Sequence, residues 1–156
     1  MTYLKYYQKE QNDFAQYHEI KMSRGEILSF VKEITEHFGL TSLKVSFTLN
    51  DRGSTRGIYY NTLEMIKLKK TRETSLLTIV HELAHHYDIA LNGVYREDKY
   101  YPATEYIKRY GGRQRRRYRK SHTAKHKECV IRILNWYNYL QSQSKYDNAP
   151  TLKMEI

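Results

Sequence analysis

The sequence has a single cysteine and lacks any long apolar run. Cys129 is the only cysteine among 156 residues, so neither an intramolecular disulfide nor a cysteine-rich zinc site can form. No run approaches the roughly eighteen apolar residues of a membrane helix, and residues 1 to 7 lack the apolar stretch of a secretory signal. These absences favour a cytoplasmic protein with no membrane partner, in which any metal site uses histidine and carboxylate.

Acidic residues are too few to balance the basic ones. Against 17 Asp and Glu stand 27 Lys and Arg, which leaves a formal net charge of +10. Such a charge implies an acidic partner, nucleic acid first and an anionic membrane surface second. A basic surface kept only for solubility is the alternative.

The excess charge is concentrated in one segment. Residues 108 to 127 contain ten Lys or Arg and no Asp or Glu. Arginines can contact phosphates, and the interleaved tyrosines can stack on bases, so the segment predicts DNA binding rather than a solvated flexible loop. The residues that we predict to contact nucleic acid are Arg113, Arg115, Arg116, Arg117, Arg119 and Lys120.

The length and the apolar patterns predict one α+β domain over residues 1 to 156, with its core at about 23 to 140. A capping box at Ser23 to Glu26 predicts a first helix that ends at Gly39. Three short antiparallel strands should follow, the last two joined as a hairpin, and then two helices. Residues 1 to 22 are interpreted as a loosely ordered arm or a short helix, Ser121 as the cap of the last helix, and residues 143 to 156 as a polar tail.

Residues 78 to 88 contain His81, Glu82 and His85 in the pattern His-Glu-x-x-His. The surrounding apolar residues recur at helical spacing, which predicts a helix that ends at Asn92-Gly93. Two histidines four residues apart share one helix face, so both imidazoles can reach a single metal ion. Glu82 then projects beside the metal, where it can take a proton from a bound water. An amphipathic helix with merely packed histidines is the alternative, but a carboxylate among apolar residues is costly to bury.

A catalytic zinc site needs a third protein ligand besides the two histidines of this helix. Two further histidines, His122 and His126, lie at the start of the predicted last helix. Glu97, Asp98 and Glu105 are the acidic candidates. The residues alone do not decide among these five candidates for the third ligand.

The stretch Ile-Val-His-Glu-Leu-Ala-His-His at residues 79 to 86 resembles the SprT-like (Spartan-type) zinc metallopeptidases. A helix and a small sheet precede it, and a histidine that opens a last helix follows. The resemblance covers about residues 23 to 140. In that family the third ligand begins a pattern of histidine, three residues and an aromatic. Residues 121 to 126 fit this pattern with His122 as the ligand beside the helix cap and His126 in the aromatic place.

The resemblance implies a zincin-like fold and a zinc-dependent endopeptidase that acts on proteins bound or crosslinked to DNA. Its implied Zn(2+) ligands are His81, His85 and, in preference to His126, His122, with Glu82 as the general base. The glycine that usually follows the third histidine is absent, as is the cysteine-rich ribbon of many members. The arginine-rich residues 113 to 120 could supply recruitment to DNA instead.

Two other functions fit the same residues. The first is a nucleic-acid-binding protein whose zinc site is structural or inactive, although a structural site does not need Glu82. The second is a zincin that cleaves a repressor, with an acidic third ligand. In that case Glu97, Asp98 or Glu105 would replace His122.

Overall fold

A computed structural model of the chain describes residues 3–60, 63–96, 99–110 and 122–147. Helices and strands are mixed along the chain, as the predicted α+β class requires. No helix in these ranges is long and apolar enough to cross a membrane. The elements, in order, are α1 (Tyr3–Asp13), α2 (Ala15–His18), β1 (Lys21–Met22), α3 (Arg24–His37), β2 (Lys44–Leu49), β3 (Gly57–Tyr60), β4 (Met65–Lys69), β5 (Thr74–Ser75), α4 (Leu76–Asn92), β6 (Val94–Arg96), β7 (Lys99–Tyr101), α5 (Ala103–Tyr110) and α6 (Ala124–Asp147).

The N-terminal segment is helical, which is the second of the two alternatives for residues 1 to 22. Tyr17 and Met22 are buried in the main core, so the core begins before residue 23. β1 pairs antiparallel with β5, and the Leu76 N–H donates to the Ile20 carbonyl over 2.8 Å. The N-terminal segment is therefore held at the start of α4.

The predicted capping box at the start of α3 is confirmed. The Glu26 N–H donates to the Ser23 hydroxyl over 3.3 Å, and the Ser23 N–H donates to the Glu26 carboxylate over 3.0 Å. The two bonds satisfy amide groups that the first turn leaves without partners. Gly39, with φ of 64°, follows the helix where the sequence predicts its end.

The predicted three-stranded antiparallel sheet is wrong for one strand pair. β3 and β4 form the expected antiparallel hairpin, with Tyr60 opposite Met65, but β2 pairs with β4 in parallel. The strand order is β2-β4-β3. β4 carries Ile66 and Leu68, which have no exposed surface, so it takes the most buried, central position. This order leaves β3 at an edge of the sheet, where it packs against α4.

α4 is the central helix and contacts α6, β3 and α2. Ser75 caps its start by accepting from the Thr78 N–H over 3.2 Å, and Gly93 ends it at the predicted position with φ of 81°. Nearly every residue from Leu76 to Asp88 is buried. A helix buried on most of its surface holds the side chains of its motif rigidly between its neighbours.

α6 begins later and ends later than the sequence predicts. The His126 N–H donates to the Thr123 hydroxyl over 3.4 Å, so Thr123 stands at the cap, while the predicted cap Ser121 lies outside the described residues. The helix continues to Asp147, into the predicted tail. Val130 and Ile133 have no exposed surface and belong to the main core with the apolar residues of α4.

The segment after Gly93 has more structure than its weak pattern predicts. β6 and β7 form an antiparallel pair, and α5 follows with Tyr106 buried. The arginine-rich part predicted to bind nucleic acid lies outside the described residues. Those residues are Arg113, Arg115, Arg116, Arg117, Arg119 and Lys120.

Candidate metal centre

Helices α4 and α6 bring His81, His85 and His126 together. One ring nitrogen from each histidine lies within 4.8 Å of the others, so the three residues form a group that could hold a metal ion. His81 and His85 lie on one face of α4, one turn apart, with ring centroids 4.9 Å from each other. The ring of His126 reaches them from α6, with its centroid 4.2 Å from that of His85.

Hydrogen bonds decide which ring nitrogen of His126 has a lone pair available to bind a metal ion. Its Nε2 lies 3.0 Å from the backbone carbonyl oxygen of His81, and because a carbonyl only accepts, Nε2 carries the hydrogen. Nδ1 therefore has the lone pair, and in this structure it accepts from the Tyr6 hydroxyl over 2.9 Å. Burial lowers the pKa of His126 to about 3, so the ring is neutral at pH 7.

His122 is a fourth imidazole at the edge of this group. Its Nε2 lies 3.0 Å from Nε2 of His81, and its ring centroid is 4.9 Å from those of both His81 and His85. The side chain is only partly buried, whereas His126 has no exposed surface. The structure therefore favours His126, the second choice of the sequence argument, as the third ligand.

The start of α6 accounts for the difference between His122, the ligand that the sequence prediction prefers, and His126, the histidine that joins the group. A cap at Ser121 would put His122 in the first turn, but α6 begins at Ala124. His126 then shares one buried stripe with Val130 and Ile133, at the spacing i, i+4, i+7. A shift of the first helical residue thus changes which histidine faces α4.

The acidic candidates for the third ligand do not join the group. Glu105 lies on α5, where its carboxylate pairs with Arg109 over 3.2 Å and its side chain remains about half exposed. Glu97 and Asp98 lie outside the described residues. Within the described ranges, the residues that could hold a metal together are all histidines.

A carboxylate from α1, which the sequence argument missed, orients His81. The two carboxylate oxygens of Glu10 lie 2.8 and 3.0 Å from Nδ1 of His81, and both side chains are almost completely buried. Nδ1 therefore donates to Glu10, and Nε2 is left with the lone pair. The sequence did contain a pattern that could have indicated this contact. Tyr6, Tyr7 and Glu10 follow the helical spacing i, i+1, i+4, which places them on one face of a helix.

Two tyrosines of α1 cover the histidines from the same side. Tyr7 stacks on His81 with ring centroids 4.6 Å apart, and Tyr6 lies 4.6 Å from the ring of His122. Burial lowers the pKa of His81 to about 3 and that of His122 to about 2. The segment interpreted as a possible arm is thus part of the site, and it keeps the imidazoles neutral.

Glu82 lies beside the histidines on a cavity of about 390 Å³ that His81, Tyr7 and the loop before β3 also line. Burial and the nearby charge of Glu10 raise the pKa of Glu82 to about 8, so without a cation the group is mostly protonated at pH 7. A Cβ atom at Gly57 would lie 3.3 Å from Cγ of Glu82. Glycine at this position therefore allows β3 to approach Glu82 closely.

His86 shows what a packed histidine looks like in the same helix. Its Nδ1 bonds the Tyr59 hydroxyl over 2.8 Å, and its Nε2 donates to the Thr41 carbonyl over 3.0 Å. Both nitrogens are therefore used to tie α4 to the sheet and to the loop before it. This histidine faces away from the group of three and has a structural role.

Replacement of Glu10 should weaken metal binding at His81. In Glu10→Gln the amide keeps the size of the side chain but replaces one of the two oxygens that accept the Nδ1 hydrogen with an NH₂ group, which cannot accept. Such changes typically cost about 10-fold to 100-fold in metal affinity. Competition with a chromophoric chelator, with Zn(II) as the probe, measures the change. Glu19→Gln, at an exposed carboxylate after α2, is the matched control. Unchanged affinity in Glu10→Gln would show that the contact does not support the site.

Comparison of the chain with models of protein families, with curated proteins and with solved structures finds no match. The property that the residues of the site establish is a group of three histidines, two buried and one partly buried, that could hold a metal ion, with a buried carboxyl group beside it.

Proposed function

We propose that the protein is a zinc-dependent endopeptidase of the SprT-like type, with Zn(II) held by His81, His85 and His126. The observation that carries this proposal is a group of three imidazoles, one of which, His81, lines a cavity together with a buried glutamate, Glu82. A purely structural site would have no use for that carboxyl group, which is costly to bury.

The donor set fits zinc. Burial lowers the pKa of His81 and His126 to about 3 and that of His85 well below its ordinary value, so the rings offer lone pairs at neutral pH. Glu10 and the His81 carbonyl each hold the hydrogen of a second ring nitrogen, as is usual for histidine ligands. Three neutral imidazoles are a common ligand set of catalytic zinc.

The chemistry follows from the positions of the side chains. When bound, zinc polarises a peptide carbonyl and acidifies a water beside it. Glu82 takes a proton from a water in the cavity and passes it to the amine that leaves. A cation next to Glu82 favours its ionised form, which offsets the rise in pKa that burial causes.

The edge strand β3 is suited to hold an extended substrate. It has β4 on one side, and its first residue, Gly57, lines the cavity with Glu82. An extended peptide can add to a free strand edge through main-chain hydrogen bonds, which bind a chain with little regard to its sequence. This arrangement supports an endopeptidase in preference to an enzyme for small molecules.

Proteins associated with DNA are the proposed substrates. Four of the ten basic residues between 108 and 127 lie in the described helices that flank the arginine-rich part: Lys108, Arg109, Lys125 and Lys127. The net charge of +10 favours association with nucleic acid. The zinc-loaded wild type should cleave a DNA-bound protein, DNA should stimulate the cleavage, and a chelator should stop it. Binding of zinc and DNA without cleavage of any substrate would contradict the peptidase function and favour the alternative, a nucleic-acid-binding protein.

Replacement of Arg113, Arg115, Arg116 and Arg117 by glutamine should weaken DNA binding and flatten its dependence on salt. Each lost phosphate contact should lower the slope of log affinity against log salt by about one. Fluorescence anisotropy with a labelled duplex over a range of salt concentrations measures both quantities. Zinc content should not change, and Lys32→Gln with Lys44→Gln is a control for charge removal elsewhere. Survival of both affinity and slope would mean that the segment is a solvated loop.

A further inference from the structure

A second cavity, of about 460 Å³, adjoins the one beside Glu82. The two share part of their walls, since His18, Ser54, Arg56 and Thr78 line both. The second cavity is strongly basic, and we call it the cationic cavity. Its positively charged lining residues are Lys21, Arg56, Lys69 and Arg72, and its one acidic lining residue is Glu73.

Lys69 places a buried positive charge in the wall of this cavity. Its side chain is 7% exposed, and its ammonium group donates to the backbone carbonyls of Asn50 over 2.8 Å, of Asp51 over 3.5 Å, and of Gly53. Among the described residues no carboxylate lies within ion-pair distance of it. Carbonyl groups solvate an ammonium group but do not cancel its charge, so an anion that enters the cavity is attracted to it.

Two acidic groups near the cavity, Asp51 and Glu19, do not neutralise its positive charge. The carboxylate of Asp51 accepts from the Thr71 hydroxyl and backbone N–H and from the Arg72 N–H. Burial lowers the pKa of His18, and the charges of Arg56 and Lys21 lower it further, each by more than the charge of Glu19 raises it. The cationic side chains therefore dominate the potential in the cavity.

We propose that the cationic cavity is a substrate subsite that binds an acidic side chain, Asp or Glu, close to the bond that is cleaved. This inference rests on the proposed peptidase function, because it uses the continuity of the cavity with the cleft at Glu82. A concave pocket with a buried lysine suits one carboxylate. A nucleic acid backbone needs an open track of exposed cations, for which the arginine-rich residues 113 to 120 are the better candidate.

Peptide binding tests the subsite without any need for turnover. Zinc-loaded Glu82→Gln protein is titrated against fluorescent peptides that carry a single Glu, or Gln in its place, at successive positions on both sides of the central bond. At one position the Glu peptide should bind about tenfold tighter than the Gln peptide, since bonds to charged groups are the stronger ones. The double variant Lys21→Gln/Arg72→Gln, made in the same background, should bind the two peptides equally. The control Lys32→Gln/Lys44→Gln removes two exposed charges elsewhere and should keep the preference.

Each outcome separates the subsite from the peptidase. Equal binding of Glu and Gln peptides at every position would overturn the subsite, whether or not the wild type cleaves them. A preference that is abolished in Lys21→Gln/Arg72→Gln would support it, even if no peptide were cleaved and the peptidase had to be abandoned. If the double variant instead lost affinity for a labelled duplex and kept its peptide preference, the cavity would belong to nucleic acid and the proposal would be wrong.

Discussion

Replacement of Glu82 by glutamine should lower the rate of proteolysis by about 10²-fold to 10⁴-fold or more, since general-base catalysis typically contributes a factor of that size. Glutamine keeps the size of the side chain but cannot take a proton from water. Burial already favours the neutral form of Glu82 when no cation is present, so the fold should tolerate the amide. The measurement is kcat/KM on a denatured or DNA-bound protein, together with zinc content and thermal stability.

A matched substitution separates loss of the base from loss of the fold. Glu36→Gln changes an exposed carboxylate on α3 and should leave the rate unchanged. Zinc content should stay at the wild-type level in both variants, because the three proposed zinc ligands are all histidines and neither Glu82 nor Glu36 is one of them. A Glu82→Gln protein that cleaves at the wild-type rate would remove the catalytic role proposed for Glu82.

Removal of any one of His81, His85 and His126 should reduce zinc content sharply from about one ion per chain. Each change takes away one of three protein ligands, and two imidazoles alone hold zinc weakly. Metal analysis of the purified variants, after exchange into buffer with a weak chelator, measures the loss. His37→Ala, on α3, is the control for removal of a histidine outside the group.

The two histidines of the last helix should give different results. His126→Ala should lose zinc, while His122→Ala should keep most of it, because His122 lies at the edge of the group and His126 is buried within it. The reverse result would restore the preference of the sequence argument for His122. Full zinc content in His81→Ala or His85→Ala would contradict the assignment of the site to α4.

The parts of the fold that depend on neighbouring residues could be predicted from the sequence. The capping box of Ser23 and Glu26, the hairpin of β3 and β4, and the motif helix all follow from patterns shorter than about twenty residues. The parallel pairing of β2 with β4 could not be predicted in this way. It depends on which strand becomes central, and burial of Ile66 and Leu68 against the rest of the chain decides that.

The same distinction between local and distant residues applies to the site. His81, Glu82 and His85 lie within five residues, so their common helix face is visible in the sequence. Glu10 is 71 residues away from His81, and only packing of α1 brings it there. The choice between His122 and His126 depends on a shift of the helix start, because Ser121 and Thr123 are both suitable cap residues. The cationic cavity collects side chains from Lys21 to Arg72, so no single stretch indicates it.

Restoration of proteolysis by zinc tests directly whether His81, His85 and His126 hold the zinc of an endopeptidase. Metal-free protein, prepared with a strong chelator and checked by mass spectrometry, is titrated with Zn(II) while cleavage of a DNA-bound protein is followed. Cleavage should be absent without metal, rise with added zinc, and reach its limit at about one equivalent per chain. Glu82→Gln should bind the same equivalent of zinc and remain inactive. Full cleavage by the metal-free chain, or no cleavage by the zinc-loaded chain on any protein substrate, would contradict the account.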